Sequence, residues 1–290
     1  MEFSILIPVY NTHIHDLAST LYEQAKGLSA NFQILFIDDC SELSISYLNQ
    51  KVKSSPEVEY EVLTENIGRA AIRNLLFDKA KYENCIIMDG DVSIHHNDFI
   101  AAYLEQLKEG VLLVGGHYYQ DSPPKEDSKY LHWNYGRNVE SRSIQDRKMN
   151  PYLSFMTSNF ACTKSTFESL KFEESIKGYG HEDTLFGIQA QQKNNPIIHL
   201  DNVVRHDGLD NLEVFLAKQK QAVLNLKQIY SASPLKKELK VHIKLVRWAS
   251  RPLPFFLLKA FKGMVHRKLE HKNANLFYLQ VQKLLWWHYG

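Results

Sequence analysis

The sequence is short of cysteine and has no long apolar run. Cys40, Cys85 and Cys162 stand far apart, three in a chain of 290 residues. An odd, scattered set excludes a disulfide framework and a cysteine-built zinc site, and points to a reducing compartment. No stretch reaches the roughly 18 uninterrupted apolar residues of a spanning helix. The chain opens on a short strand-like run, not on a basic segment followed by an apolar one, so no signal peptide is expected. The first strand is followed by Pro8–Val9–Tyr10–Asn11–Thr12, without glycine or lysine. That absence argues against a G-x-G-x-x-G dinucleotide site and against the Gly-rich, basic phosphate loop of a nucleotidyltransferase.

What is present is ordinary globular material, 44% hydrophobic and 23% charged, enough for one large or two smaller α/β domains. The net charge of +1 hides an asymmetry. Residues 235–290 hold 12 Lys and Arg against 2 Asp and Glu, a charge of +10, which leaves −9 on the rest. A mildly acidic body with a basic, aromatic tail separates chemistry from attachment to something anionic.

Apolar runs alternate with helical periodicity through the first 115 residues. Phe3–Val9, Phe32–Ile37, Val58–Leu63, Cys85–Met88 and Val111–Val114 read as strands. His15–Leu28, Leu43–Val52, Ile67–Ala80 and Asn97–Lys108 read as helices, with Asn66 and Asn97 as capping candidates. The alternation predicts a doubly wound α/β half with a mostly parallel sheet, whose ligands bind beyond the carboxyl ends of the strands. Residues 117–151 read as a polar, loop-rich excursion. Beyond it come a helix at Thr166–Leu170, a glycine loop at 176–180, a helix from His181 to Gln192, and short strands at Ile197–Leu200 and Val203–Arg205. In the tail, Phe255–Leu269 reads as an amphipathic helix after Pro252 and Pro254. Leu257, Phe261, Met264, Val265 and Leu269 share a face, and Lys259, Lys262 and Arg267 lie mostly opposite. Leu284–Trp287 read as exposed aromatics and leucines.

Asp89–Gly90–Asp91 follows a buried strand. Two close carboxylates repel unless a cation lies between them. Hard oxygen donors select Mg²⁺ or Mn²⁺, and Gly90 allows a tight turn; the alternative is a polar turn. Asp39 suits a base N–H or ribose hydroxyls, or else, with Asp38 and Ser41, a helix cap. Arg69 and Arg73, four apart, share a helix face and suit a diphosphate, or else form a solvated face. Glu182–Asp183 by themselves read as helix capping, and His206 as a structural or surface histidine.

The ordered set Ile7–Asn11 (I-P-V-Y-N), Asp38–Asp39, Asn66–Asn74 (N-x-G-x-x-x-x-R-N), Asp89–Asp91 and Gly178–Asp183 (G-Y-G-H-E-D) resembles the family 2 glycosyltransferases with the GT-A fold. The last segment is also similar to the C-terminal catalytic motif of galactosyltransferases and chondroitin-type polymerases. The resemblance implies transfer of a sugar from a nucleotide-diphosphate sugar, of UDP type, to a hydroxyl of a glycan or lipid-linked saccharide, with a Mn²⁺ or Mg²⁺ cofactor and inversion. It implies that Pro8, Tyr10 and Asn11 lie by the nucleoside and that Asp39 contacts the base. Asn66, Arg69, Arg73, Asp89 and Gly90 would border the donor. Asp91, Asp89 and His206 would serve the metal, Asp183 would be the general base, and Glu182 would hold the acceptor. The family's usual alanine before the arginine is Ile72 here.

The expected organisation is a GT-A catalytic domain over residues 1–233, divided at 115/116 into donor and acceptor halves, and a helical extension over 234–290. The tail suggests a peripheral contact with an anionic membrane surface at the inner face of the cell membrane. It gives only weak support for nucleic acid, and no nucleic-acid partner is expected. The competing readings are a nucleotidyltransferase acting on sugar phosphates and a non-catalytic membrane-surface protein.

Overall fold

Phe3, Ile5, Ile7 and Val9 alternate with Leu6 along the first strand, and both sets are buried, in different clusters. A strand buried on both faces belongs inside a sheet covered by helices on both sides. The computed structural model has that arrangement, and describes residues 2–290 apart from 54, 177, 233–235, 252–258, 260 and 271–273. The strands are β1 (Glu2–Val9), β2 (Asn31–Asp38), β3 (Val58–Val62), β4 (Asn84–Met88), β5 (Val92–Ser93), β6 (Leu112–Val114), β7 (His117–Tyr118), β8 (Asn159–Thr163), β9 (Ile197–His199) and β10 (Val204–His206). The helices most used below are α1 (His15–Lys26), α2 (Leu43–Asn49), α3 (Arg69–Lys79), α4 (Phe99–Leu104), α5 (Tyr130–Tyr135), α6 (Ile144–Met149), α7 (Lys164–Leu170), α8 (Glu182–Gln192) and α9 (Leu212–Ala232).

The chain divides into two compact units. The first comprises Met1–Tyr119, Ser141–Ile176 and Glu182–Gly208. Its seven-stranded sheet runs β3-β2-β1-β4-β8-β6-β9. Only β8 is antiparallel to its neighbours. Residues of α1 and α4 pack with Ile5, Ile7, Phe36 and Met88 on one face. Residues of α3, α7 and α8 pack with Leu6, Leu35, Ile87 and Phe160 on the other. The expected α/β class and mostly parallel sheet therefore hold. Because β1, β2, β3, β4, β6 and β9 are parallel, their carboxyl ends share one edge, where β8 begins. A second sheet, β5-β10-β7, carries His206 as the last residue of β10 rather than beyond it.

Two expected caps differ. α3 starts after Gly68 (φ 87°), not Asn66, and α4 follows Asp98 rather than Asn97; neither start has a side-chain cap.

The second unit comprises Gln120–Glu140, Lys177–His181 and Leu209–Gly290. It begins well before residue 234, where the tail was expected to start. The expected loop at 117–151 is largely helical: a 3₁₀ turn at Asp127–Lys129, α5, a π turn at Gly136–Glu140, and α6 back in the first unit. Leu131 of α5 is buried with Phe215, Val265, Leu269 and Leu279, partners 84 or more residues away that local polarity does not reveal. Val265 and Leu269 point inward while Phe261 and Met264 are exposed, so the expected apolar face is split. Pro252, Pro254 and Leu257 lie outside the described residues. Leu285 and Trp287 are buried, contrary to the exposed reading of 284–287. Among the described residues no helix is long and apolar enough to cross a membrane.

Candidate active site

The strand-end loops of the first unit are stitched together by hydrogen bonds. The Asp39 amide donates to Val9 O (2.8 Å), and the Asp89 amide to Ser158 O, 3.2 Å away. Asn11 (φ 49°) takes a left-handed turn that asparagine tolerates. Its amide donates to Ser41 Oγ at 2.7 Å and its Oδ1 accepts from the Glu42 amide at 2.8 Å, tying the first loop to the second. Tyr10 beside it is exposed, and Pro8 is partly buried.

The two aspartates after β2 do different work. Asp38 accepts from the Ser41 amide (2.7 Å) and from the Tyr60 hydroxyl, and is fully buried. Asp39 accepts from the Ile67 amide at 2.7 Å and the Gly68 amide at 3.0 Å, so it holds the α3 entry and does not cap α2. Asn66 Nδ2 donates to the Asp39 carbonyl at 3.0 Å. Burial pushes the Asp39 carboxyl up, the two amides pull it down, and Asp38 adds to the rise, which is the net direction. Gly68 is needed for its positive φ, which lets its N–H face the carboxylate. Gly90 lies in the expected turn, and a Cβ there would crowd Pro8 O at 3.1 Å.

Four charged groups from three elements meet at this edge. Arg73, 2% exposed along its side chain, is 2.6 Å from Asp89 and 3.8 Å from Glu182. Arg69 is 2.7 Å from Glu182 and 3.8 Å from Asp89. Neither arginine lies on a merely solvated face, and Arg69, 38% exposed along its side chain, is the more accessible of the two. Burial would raise the Asp89 carboxyl, but Arg73 and Arg69 outweigh it and hold it at about 2. Burial and the same arginines act on Glu182 in the same opposed senses, with a net lowering.

Asp183, the next residue, goes the other way. Burial and the Glu182 charge push its carboxyl up to about 6, against the Thr184 N–H and Arg69. Thr184 N donates to Asp183 Oδ1 at 2.6 Å. Two adjacent carboxylates thus have pKa values driven apart, one locked as an anion and one near neutrality, the pattern that separates an electrostatic role from an acid–base role. The motif itself is shared between units. Gly178 and Gly180, both with positive φ, pack on Gln221 and Ala222 of α9, whereas Glu182 and Asp183 belong to the first unit.

Asp91 Oδ2 lies 3.6 Å from His206 Nε2. Asp89, also expected to serve the metal, faces the arginines instead. Among the described residues no group of three or more His, Cys, Asp or Glu side chains is arranged to hold a metal. A carboxylate and an imidazole nevertheless fit Mn²⁺ or Mg²⁺, ions that fill out their shells with phosphate oxygens and water. A Cβ on Gly208 would lie 2.3 Å from Asp91 Oδ2, so a larger residue there would have to displace that carboxylate.

Sequence reasoning missed the surroundings of His206. Tyr119 stacks on its ring with centroids 5.0 Å apart, and the His117 ring packs edge-on at 5.8 Å. His117 Nδ1 is 2.8 Å from Ser158 Oγ. The available signal was His117–Tyr119, two glycines after the fifth expected strand, at the same edge as the other polar clusters.

The sequence profile described as glycosyl transferase family 2 matches residues 4–170. A curated relative from Rickettsia felis, described as an uncharacterized glycosyltransferase, is 32% identical over 133 residues, 45% of this chain and 21% of that protein. The chain therefore spans about a fifth of that relative's length. Among solved structures, a mannosyltransferase from Pyrobaculum calidifontis, in complex with GDP-Man and Mn²⁺, superposes with a TM-score of 0.58 at 14% identity, covering 99% of this chain and 85% of that one. S. aureus TarS residues 1–349, in complex with UDP, gives a TM-score of 0.51 at 15% identity over 97% and 90%. Glucosyl-3-phosphoglycerate synthase from Mycobacterium tuberculosis, with Mn²⁺, UDP and glucosyl-3-phosphoglycerate, gives 0.53 at 13% identity over 79% and 78%. At these identities the likeness is one of fold.

Proposed function

The chain belongs to glycosyl transferase family 2, and we propose that it moves a sugar from a nucleotide-diphosphate sugar to an acceptor hydroxyl in one inverting, metal-dependent displacement. The observation that carries this reading is the junction of Arg69, Arg73, Asp89 and Glu182 beside an Asp183 whose carboxyl is pushed up to about 6.

Charge develops on the diphosphate as the C1–O bond breaks, and fixed cations aimed at it lower the barrier. Arg69 has the exposure to meet a phosphate. Arg73 is buried against Asp89 and serves as a rigid counter-charge that holds the Asp89–Asp91 turn. Asp91 and His206 would hold a divalent cation, which when bound screens the diphosphate and so makes it a better leaving group. The solved neighbours described as Mn²⁺ complexes support that cofactor, and those holding UDP or GDP-Man support a nucleotide-sugar donor.

An acceptor hydroxyl needs a base at hydrogen-bond distance. Asp183, ionised above about pH 6, takes the proton as the hydroxyl oxygen attacks C1, and the nucleoside diphosphate departs from the opposite face. Glu182 is committed to Arg69, so its contribution to acceptor binding is through the ion pair. Pro8, Tyr10, Asn11 and Asp39 border the nucleoside, and a glycan or lipid-linked saccharide is the acceptor class.

The test is a panel of sugar nucleotides incubated with the protein and Mn²⁺, with release of free nucleoside diphosphate as readout. One donor of the panel is expected to turn over and to raise the melting temperature. A panel without turnover, binding or stabilisation sinks the reading.

A further inference from the structure

The second unit carries a surface that sugar transfer leaves unused. Lys244, Arg247 and Trp248 recur at the three- and four-residue offsets that align on one face of the helix Lys244–Ala249, Arg251 follows in the turn after it, and all four are exposed. Val246 and Ala249, between them in sequence, are buried with Val223, Leu226 and Trp287. Core packing therefore fixes which way the basic stripe faces: outward. The preceding helix, Lys236–His242, adds exposed Lys236, Lys237 and Lys240. The ion pairs formed among the described residues engage none of these cations. The Arg251 guanidinium rests 4.4 Å from the centre of the Trp248 ring, and Trp248 is 41% exposed. In the same unit, Lys262–Leu269 buries Val265 and Leu269 but leaves Phe261 and Met264 exposed beside Lys262, Arg267 and Lys268.

We propose that Lys236, Lys237, Lys240, Lys244, Arg247 and Arg251 dock the protein on an anionic lipid headgroup layer, with Trp248 entering the interface. Charge selects the partner's sign, since residues 235–290 carry +10 while the rest of the chain carries −9. The exposed Trp248, Phe261 and Met264 select a lipid surface over nucleic acid, because an apolar side chain beside a lysine gains free energy at a headgroup boundary and little at a phosphodiester backbone. Cations near such a surface each strengthen binding about fivefold, an effect that salt weakens. The surface shares no residue with the site of the first unit, so membrane binding and sugar transfer stand or fall separately.

The experiment is flotation of the full chain with vesicles of phosphatidylcholine alone or of equimolar phosphatidylcholine and phosphatidylglycerol, at physiological ionic strength. The protein is expected to float with the anionic vesicles only. The triple variant Lys244→Gln/Arg247→Gln/Arg251→Gln should bind them about 100-fold more weakly, and Trp248→Ala should weaken binding with an unchanged salt dependence. All these residues are exposed, so circular dichroism should report wild-type folding. Absence of the wild type from the anionic float, equal flotation of the triple variant, or tighter binding to a duplex DNA fragment than to the vesicles would overturn the proposal.

Discussion

Replacing Asp183 by Asn separates the two consequences of its environment. The carboxyl is raised from an ordinary 3.8 to about 6, chiefly by burial and then by Glu182. A carboxyl with a higher pKa folded than unfolded favours the fold while protonated in both states, and loses that advantage as pH rises through the folded value. That rise corresponds to a cost of at most about 3 kcal/mol at neutral pH. Asparagine keeps the shape without the charge. The variant should therefore match the wild type in melting temperature near pH 4, diverge upward between about pH 4 and 6, and stand a few degrees higher at pH 7.5. Over the same range wild-type transfer should rise with a midpoint near 6. The variant should lose transfer while donor binding by calorimetry stays nearly intact. A melting difference independent of pH would refute the raised carboxyl. Donor binding lost with transfer retained would refute the base assignment.

Arg73→Met should destabilise the fold by about 3–5 kcal/mol, since it strands Asp89 without its closest counter-charge; an unchanged urea midpoint would show that the pair is dispensable. Gly208→Ala should displace the Asp91 carboxylate and weaken Mn²⁺ binding by about 10- to 100-fold in calorimetry, and a wild-type isotherm would separate Asp91 from the metal. Chelation should stop transfer, with Mn²⁺ or Mg²⁺ restoring it; full turnover in excess EDTA contradicts a metal role.

Much of the first unit was legible because its strands are buried on both faces and read as continuous apolar runs, as in Phe3–Val9 and Cys85–Met88. Their shared edge follows from parallel connection, so the acidic strand ends could be grouped before any distance was known. Side-chain direction was not legible. Asp89 and Asp91 are two residues apart, yet one faces Arg73 and the other His206, a choice made by the arginines of α3. The second unit was read poorly because its core is assembled from distant pieces: Leu131 finds Phe215 and Leu279 only in three dimensions. Gly208 gave no local signal, because its requirement lies in a carboxylate more than a hundred positions earlier.

The reversed direction of β8 has a further effect. The chain leaves the sheet at Val114 and re-enters at Asn159, and a 3.1 Å hydrogen bond from the Gly115 amide to the Asn159 carbonyl clasps the two points together. The excursion between them begins and ends at one closed point. For a loop closed in this way, doubling the length of an exposed stretch such as 121–126 costs only about 0.6 kcal/mol. Residues can therefore be inserted at 121–126 while the donor-side strands keep their register, whereas Leu131 must stay to fill the core of the second unit.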